Sequence, residues 1–213
     1  MATAGDAAGS VHATRRAASG DVAGLVEVLG RAFDDDPVAG FLFRGDRRRH
    51  RGLRRFFRIQ LTSLYAGDGE VWTTGDLAGA AIWAPPSKAL PGLRDLWHLA
   101  PLLPDLAGLG RSVPDAARLL AEVERRRPRA PHWYLATLGT DPDRQGKGVG
   151  SALLVDVLSR CDAEGVPAYL ESSKERNLAF YARHRFEVTG ELQVPHGGPR
   201  LWFMWREPRP PGD

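Results

Sequence analysis

The chain has 213 residues, 43% of them hydrophobic and 26% charged, so it can bury one full core and does not have the composition of a disordered chain. Its formal net charge of +3 is too small to demand a nucleic-acid partner. The lone cysteine, Cys161, excludes an internal disulfide framework, and no apolar run approaches the length of a membrane span; the expected compartment is the cytoplasm.

Residues 1–10 are small and polar, with neither the charged start nor the apolar stretch of a signal peptide, and read as a disordered leader. A single domain is expected over 11–206. Residues 11–16 form a candidate first strand. A helix begins at Ser19 or Asp21 and carries an apolar stripe of Val22, Leu25, Val26, Leu29 and Phe33. Asp34, Asp35, Asp36 and Pro37 break it. A second helix is expected over 46–65, with Leu53, Phe57, Leu61 and Leu64 on one face. The arginines between 44 and 58 interleave with those apolar positions and come with no nucleic-acid reader motif, so they read as a solvated helix face. Residues 70–74 and 77–83 read as a hairpin around Gly75 and Asp76, ended by Pro85 and Pro86.

The stretch from about 87 to 130 is less regular. Residues 93–99 and 105–109 look like short helical pieces between prolines, and Ser112 with Asp115 resembles a capping box for a helix through Val123. Residues 133–140 read as a strand stopped by Pro142, and a helix follows from Val149. Cys161 falls on the apolar face of that helix with Leu154 and Leu158, as a core residue. Gly165 and Pro167 stop the helix, and 168–171 is a short strand. Ser172 or Ser173 can cap a helix over 175–184. Residues 186–194 and 200–206 alternate as two last antiparallel strands, and 207–213 is a Pro-rich tail. Trp83, Trp133, Trp202 and Trp205 fall in strands, as core.

Gly146, Gly148 and Gly150 lie where the strand over 133–140 turns into the helix from Val149. Without a Cβ, their backbone N–H groups can approach a ligand closely, and the helix adds its unpaired N–H groups and positive dipole end. This combination holds a phosphate or pyrophosphate. A P-loop is excluded because Lys147 is followed by Gly148 rather than by Ser or Thr, and the glycine spacing and late position exclude a dinucleotide fingerprint. The bland reading of such a turn is a tight connection with no ligand.

The run Gln-x-x-Gly-x-Gly at 145–150 resembles the coenzyme A pyrophosphate loop of the GNAT acetyltransferase superfamily. Arg176, Asn177, Phe180 and Tyr181 resemble the segment whose Asn holds the pantetheine arm and whose Tyr protonates the leaving thiolate. The puromycin N-acetyltransferase branch is the nearest in look, through Leu135-Ala136-Thr137, Tyr169-Leu170-Glu171, Val194-Pro195 and Gly198-Pro199-Arg200. The resemblance implies an α/β (α+β) fold, a mixed and mostly antiparallel central sheet flanked by helices, with a helical insertion between the third and fourth strands. It departs from that branch at Asp36, where the puromycin enzyme has Tyr before the proline, and at Arg185, where glycine is usual. Arginine tolerates a left-handed turn poorly, so a differently built turn is expected there.

The function so implied is transfer of acetyl from acetyl-CoA, with no metal, to a primary amine on a small molecule of antibiotic type, by direct attack in a ternary complex. Leu138, Gly139, Thr140, Gln145, Gly146, Lys147, Gly148, Val149, Gly150, Ser151, Asn177 and Tyr181 would hold the coenzyme. The Leu138 N–H, on a strand opened by a bulge, would stabilise the developing oxyanion. Phe33 and the carboxylates of Asp34, Asp35 and Asp36 would face the acceptor; otherwise those three are a solvated turn. Tyr181 is a general acid or a half-buried core residue, Asn177 a coenzyme ligand or a helix-start residue, and Glu171 a general base or an arginine's structural partner, with one of Asp34, Asp35 and Asp36 or a water chain as the other candidates for the base. Acetylation of a peptide amine, a non-catalytic acyl-CoA-binding module, and a nucleic-acid protein built on the arginine helix are the competing functions. The expected partners are acetyl-CoA and a small amine, without nucleic acid or membrane, in a monomer or homodimer.

Overall fold

The computed structural model describes residues 12–65, 70–87, 93–107, 110 and 113–209. The expected leader, Leu109 and Ser112 of the expected capping box lie outside them. The chain runs β1 (Thr14–Arg16), α1 (Val22–Ala32), α2 (Pro37–Leu42), α3 (Asp46–Ile59), β2 (Glu70–Thr74), β3 (Gly79–Ala84), a 3-10 stretch (Leu93–Leu102), α4 (Leu103–Leu106), α5 (Val113–Arg126), β4 (Trp133–Thr140), α6 (Val149–Glu164), β5 (Ala168–Ser172), α7 (Leu178–Arg183), β6 (Glu187–Gln193) and β7 (Arg200–Arg206). Among the described residues, seven strands form one sheet in the order β1-β2-β3-β4-β5-β7-β6. Its neighbours are antiparallel except for β4 and β5, which run parallel.

The period of two in β3 shows how the sheet divides the core. Ala80, Ile82 and Ala84 face Leu25, Leu29, Leu53 and Phe57 of α1 and α3. Ala81 and Trp83 face Leu153, Leu154, Val157 and Cys161 of α6 on the other side. Cys161 is fully buried, and burial pushes its thiol up to about 12, so it stays a protonated core residue. Trp83, Trp133 and Trp202 are also buried.

Four local differences from the sequence reading have physical causes. A short helix, α2, follows the aspartates because Asp36 caps it, accepting from the Val38 and Ala39 N–H groups at 2.9 and 3.0 Å. The second long helix passes into a π turn over Gln60–Leu64, and Thr137 donates to the buried Gln60 side chain at 2.8 Å. The helix over 175–184 opens as a 3-10 turn, Glu175–Asn177, and neither serine caps it. Ser172 donates to the Lys174 carbonyl and Ser173 to Asp36. Arg185 adopts φ 66° with the Phe186 N–H bonded to the Tyr181 carbonyl at 3.1 Å, so the turn has the geometry glycine would give it despite the side chain.

The insertion packs Leu102, Ala116 and Leu119 into the core and is tied to α3 by one carboxylate. Asp105 of α4 is fully buried and receives Arg51 and Arg55, one turn apart on α3. Those two arginines of the basic helix thus act as anchors, while Leu53 and Phe57 of the same helix enter the core.

Candidate functional site

A cleft of about 490 Å³ opens where β4 and β5 part. The two strands pair only from Trp133–Ala168 to Leu135–Leu170, so residues 136–140 and 171–174 become its facing walls. The separation begins at a bulge. Thr137 pairs with Ile82 and Leu135 with Trp83 of β3, which leaves Ala136 as the extra residue on β4.

The bulge also decides which way the backbone of Leu138 points. The Trp133 N–H donates to Pro167, toward β5, whereas the Asp141 N–H donates to Ala78, toward β3. An unbroken strand would send both the same way, so the phase flips at the bulge. Hydrogen-bonded pairs alternate along an antiparallel ladder. From Asp141–Ala78, the next bonded pairs are Gly139–Ala80 and Thr137–Ile82; Leu138–Ala81 is a non-bonded pair. The Leu138 N–H therefore faces away from β3, into the space β5 has vacated. The bulge lies two residues before it.

At one end of the cleft stands the glycine loop. Gly146 and Gly148 have φ of 72° and 84°, and a Cβ on either would meet nothing within 4 Å. Gly148 is the N-cap of α6, so the unpaired N–H groups of Val149, Gly150 and Ser151 face the lined space. Gln145 turns back to the Thr140 carbonyl at 3.3 Å. Lys147 does not line the cleft, because its ammonium donates to the Asp143 carbonyl at 2.9 Å. Arg144, Lys174, Arg176 and Arg183 also line the walls, a basic rim that the sequence reading missed. Lys174 and Arg176 belong to the 3-10 turn after β5, Arg183 ends α7 and Arg144 ends the turn before the glycine loop, so no single local pattern joins all four.

Asn177, Phe180 and Tyr181 line the cleft from the 3-10 turn and α7. Asn177 makes no capping bond. A Cβ on Gly150 would stand 3.2 Å from the Phe180 ring, so that glycine permits the close approach of α6 and α7. Tyr181 is buried, with its ring 6.0 Å from Phe186. Burial, and then the charge of Asp36, raise its phenol above the ordinary value of 10.

The far end is closed by the α1–α2 turn. Phe33 and Asp36 line the cleft, but Asp34 and Asp35 do not. Asp34 pairs with Arg49 at 3.0 Å and His50 at 3.1 Å. Asp35 pairs with Lys174 and Arg176 across the cleft. Asp36 takes the Ser173 hydroxyl as well as its two capping N–H groups. The expectation of three carboxylates waiting for a cation is therefore corrected: the fold brings basic and hydroxyl partners to all three.

Glu171 lines the cleft on the α1 side and is held from behind. The Tyr134 hydroxyl donates to one carboxylate oxygen at 2.8 Å. The other oxygen is buried without a protein partner, as are the Tyr169 hydroxyl and the Arg127 Nε. Burial raises the Glu171 carboxyl above its ordinary value, and the Arg127 cation opposes that rise. Arg127 lies over the Tyr134 ring at 5.0 Å, which carries the end of the insertion to the site.

These features fit an elongated phosphate-bearing coenzyme: an open glycine cradle at a helix start, a basic rim, and a gap between strands. The Acetyltransferase (GNAT) family profile matches residues 71–186. An uncharacterized N-acetyltransferase of Schizosaccharomyces pombe is 29% identical, covering 92% of this chain and 83% of its own. A Corynebacterium glutamicum crystal structure described as histone acetyltransferase HPA2 and related acetyltransferase has a TM-score of 0.71 at 27% identity, covering 95% of this chain and 99% of its own. A Thermoplasma acidophilum PaiA N-acetyltransferase structure in complex with coenzyme A shares the fold, with a TM-score of 0.53 at 14% identity, covering 92% and 98%.

Proposed function

Since the chain belongs to the GNAT acetyltransferase family and is an acetyl-CoA-dependent N-acetyltransferase, we propose that its acceptor is a primary amine on a small molecule. The observation that carries this reading is the closure of the acceptor end. Asp35 is bonded to Lys174 and Arg176, and Asp36 to Ser173, so two loops are bridged at this end of the cleft, which favours a compact acceptor over an extended polypeptide.

Acetyl-CoA supplies the activated acetyl group as a thioester. The first turn of α6 and the glycine cradle hold its pyrophosphate, and Asn177 meets the pantetheine arm. Glu171 is the base. An amine is protonated at neutral pH and must lose that proton before it attacks; a carboxyl raised by burial keeps more affinity for the proton than an exposed one. The Leu138 N–H, free of β3, donates to the carbonyl oxygen as negative charge develops there. Tyr181 delivers a proton to the leaving sulfur. Amine and thioester meet in one ternary complex, because both walls of a single cleft supply these groups.

The resemblance to the puromycin branch makes amine-bearing antibiotics of nucleoside and aminoglycoside type the first acceptors to screen. The test is an amine panel with acetyl-CoA, followed by thiol release and by mass of the product. A small amine turned over with a gain of one acetyl is the expected result. Turnover confined to peptide amines would overturn the small-molecule reading, and coenzyme binding without turnover of any amine would favour a binding module.

A further inference from the structure

We propose that His184 is a positioning residue for the coenzyme pyrophosphate, acting through the Ser151 hydroxyl. This rests on the reading that the loop from Gln145 to Ser151 holds that group. Ser151 is the third residue of α6 and lines the cleft. Its Oγ lies 3.0 Å from Nε2 of His184, which does not line the cleft and sits just after α7. The two residues are 33 apart in sequence, so nothing local joins them.

The imidazole is fixed from several sides. Phe180 of α7 has its ring centroid 5.0 Å away. The His184 N–H donates to the Tyr181 carbonyl at 2.9 Å, and its own carbonyl accepts from Arg206 of β7 at 3.1 Å. Arg206 is in turn paired with Asp162 of α6. Burial, then the charges of Arg183 and Arg206, lower the His184 pKa, so the ring is neutral at pH 7 and carries one proton.

That single proton matters because a hydroxyl has one hydrogen to give. A serine in a helix commonly turns its hydrogen back to the carbonyl one turn before. An Nε2–H on His184 donates to Oγ instead and leaves the hydroxyl hydrogen free to point at a phosphate oxygen. The serine then adds a side-chain donor to the backbone N–H groups of the same turn.

The experiment measures the acetyl-CoA Kd by calorimetry for Ser151→Ala, His184→Leu, His184→Gln and the Ser151→Ala/His184→Leu double variant. A hydrogen bond to a charged group of about 1.5–3 kcal/mol corresponds to a loss of roughly 10-fold or more in Ser151→Ala and in His184→Leu. The double variant should bind no more weakly than Ser151→Ala, and His184→Gln, which keeps a donor at the same reach, should bind within about threefold of the parent. Parental affinity in a folded His184→Leu, additive losses in the double variant, or a Gln variant as weak as Leu would each overturn the inference. If the Leu variant does not fold, the ring ¹⁵N shifts of the parent with coenzyme decide: an Nε2–H tautomer is expected, and an Nδ1–H tautomer overturns it. Gly148→Glu separates this from the loop reading. Loss of binding there with none in His184→Leu removes only the histidine; parental binding in Gly148→Glu removes the loop and the histidine together.

Discussion

Gly148→Glu tests the coenzyme cradle, and its two costs can be worked separately. Gly148 has φ 84° and ψ −4°, and a Cβ there would meet nothing within 4 Å. The free protein therefore suffers only the backbone penalty, about 1–2 kcal/mol for an L-residue in the left-handed region. In a chain of this size that lowers Tm by roughly 2–8 °C, at about 2–4 °C per kcal/mol. The coenzyme suffers the charge. A carboxylate about 5 Å from one phosphate charge costs on the order of 1–3 kcal/mol at an effective dielectric between 80 and 20, and two phosphate charges about double it. Affinity for acetyl-CoA should fall by about 30-fold at the least. Gly165→Ala is the control. Gly165 caps the far end of α6 with φ 66°, so it should show the same loss of Tm with unchanged acetyl-CoA affinity. Thermal denaturation and calorimetry read the two effects. A folded Gly148→Glu protein that binds acetyl-CoA like the parent would refute the assignment of the cradle.

Three further outcomes are expected. Tyr181→Phe keeps the ring packing against Phe180 and Phe186 and should leave acetyl-CoA affinity intact while slowing the chemical step by about 10²-fold; the low end of the usual range applies because burial and Asp36 make the phenol a weaker acid. A pre-steady-state acetyl-transfer rate equal to the parent's would remove Tyr181 from the mechanism. Glu171→Gln should abolish most turnover yet stabilise the fold increasingly as pH rises: the raised folded pKa means the parent loses stability between the ordinary value of 4.5 and the higher folded one, a loss an amide does not share. Melting curves at pH 5 and pH 8 check this, and a pH-independent Tm difference would contradict it. Arg185→Gly should raise Tm by a few degrees, since about 1–2 kcal/mol of left-handed strain at φ 66° is only partly offset by the greater entropy of glycine in the unfolded chain, ~0.5–1 kcal/mol; an unchanged or lower Tm would show that the strain is relieved elsewhere.

Much of the fold was legible because its signals are short-range. The stripe of α1 and the apolar positions of α3 predicted the face each helix buries, and Leu25, Leu29, Leu53 and Phe57 are core residues. The strand–glycine–helix passage from β4 to α6 was read at its residues, since the strand pattern, Pro142, the glycines and Gly165 all act within a few positions. What was missed depends on side-chain bonds that no periodicity marks, whether local or distant. The α2 helix exists because Asp36 accepts from the Val38 and Ala39 N–H groups just ahead of it, whereas in the sequence the three aspartates read as acceptor-site residues or as a solvated turn before Pro37. The π turn at Gln60–Leu64 coincides with a bond that Gln60 accepts from Thr137, 77 residues away.

The candidate site divides along the same line. Residues of the glycine loop, Asn177 and Tyr181 surround one cleft, and each belongs to a contiguous motif. The acceptor end does not. Asp34, Asp35 and Asp36 form one acidic run in sequence, but the fold gives each a different fate: one faces Arg49 and His50, one crosses to Lys174 and Arg176, and one caps a helix while taking the Ser173 hydroxyl. Only Asp36 remains in the lining, and its charge is felt by Tyr181 instead of waiting for a substrate cation. The Leu138 N–H needs still more: its direction follows from counting the hydrogen-bond phase through the extra residue Ala136. A sequence shows that a strand meets a glycine loop. Whether a backbone donor on that strand faces its neighbour or the gap is settled by a single inserted residue, and one-residue shifts are what periodicity of two reads least well.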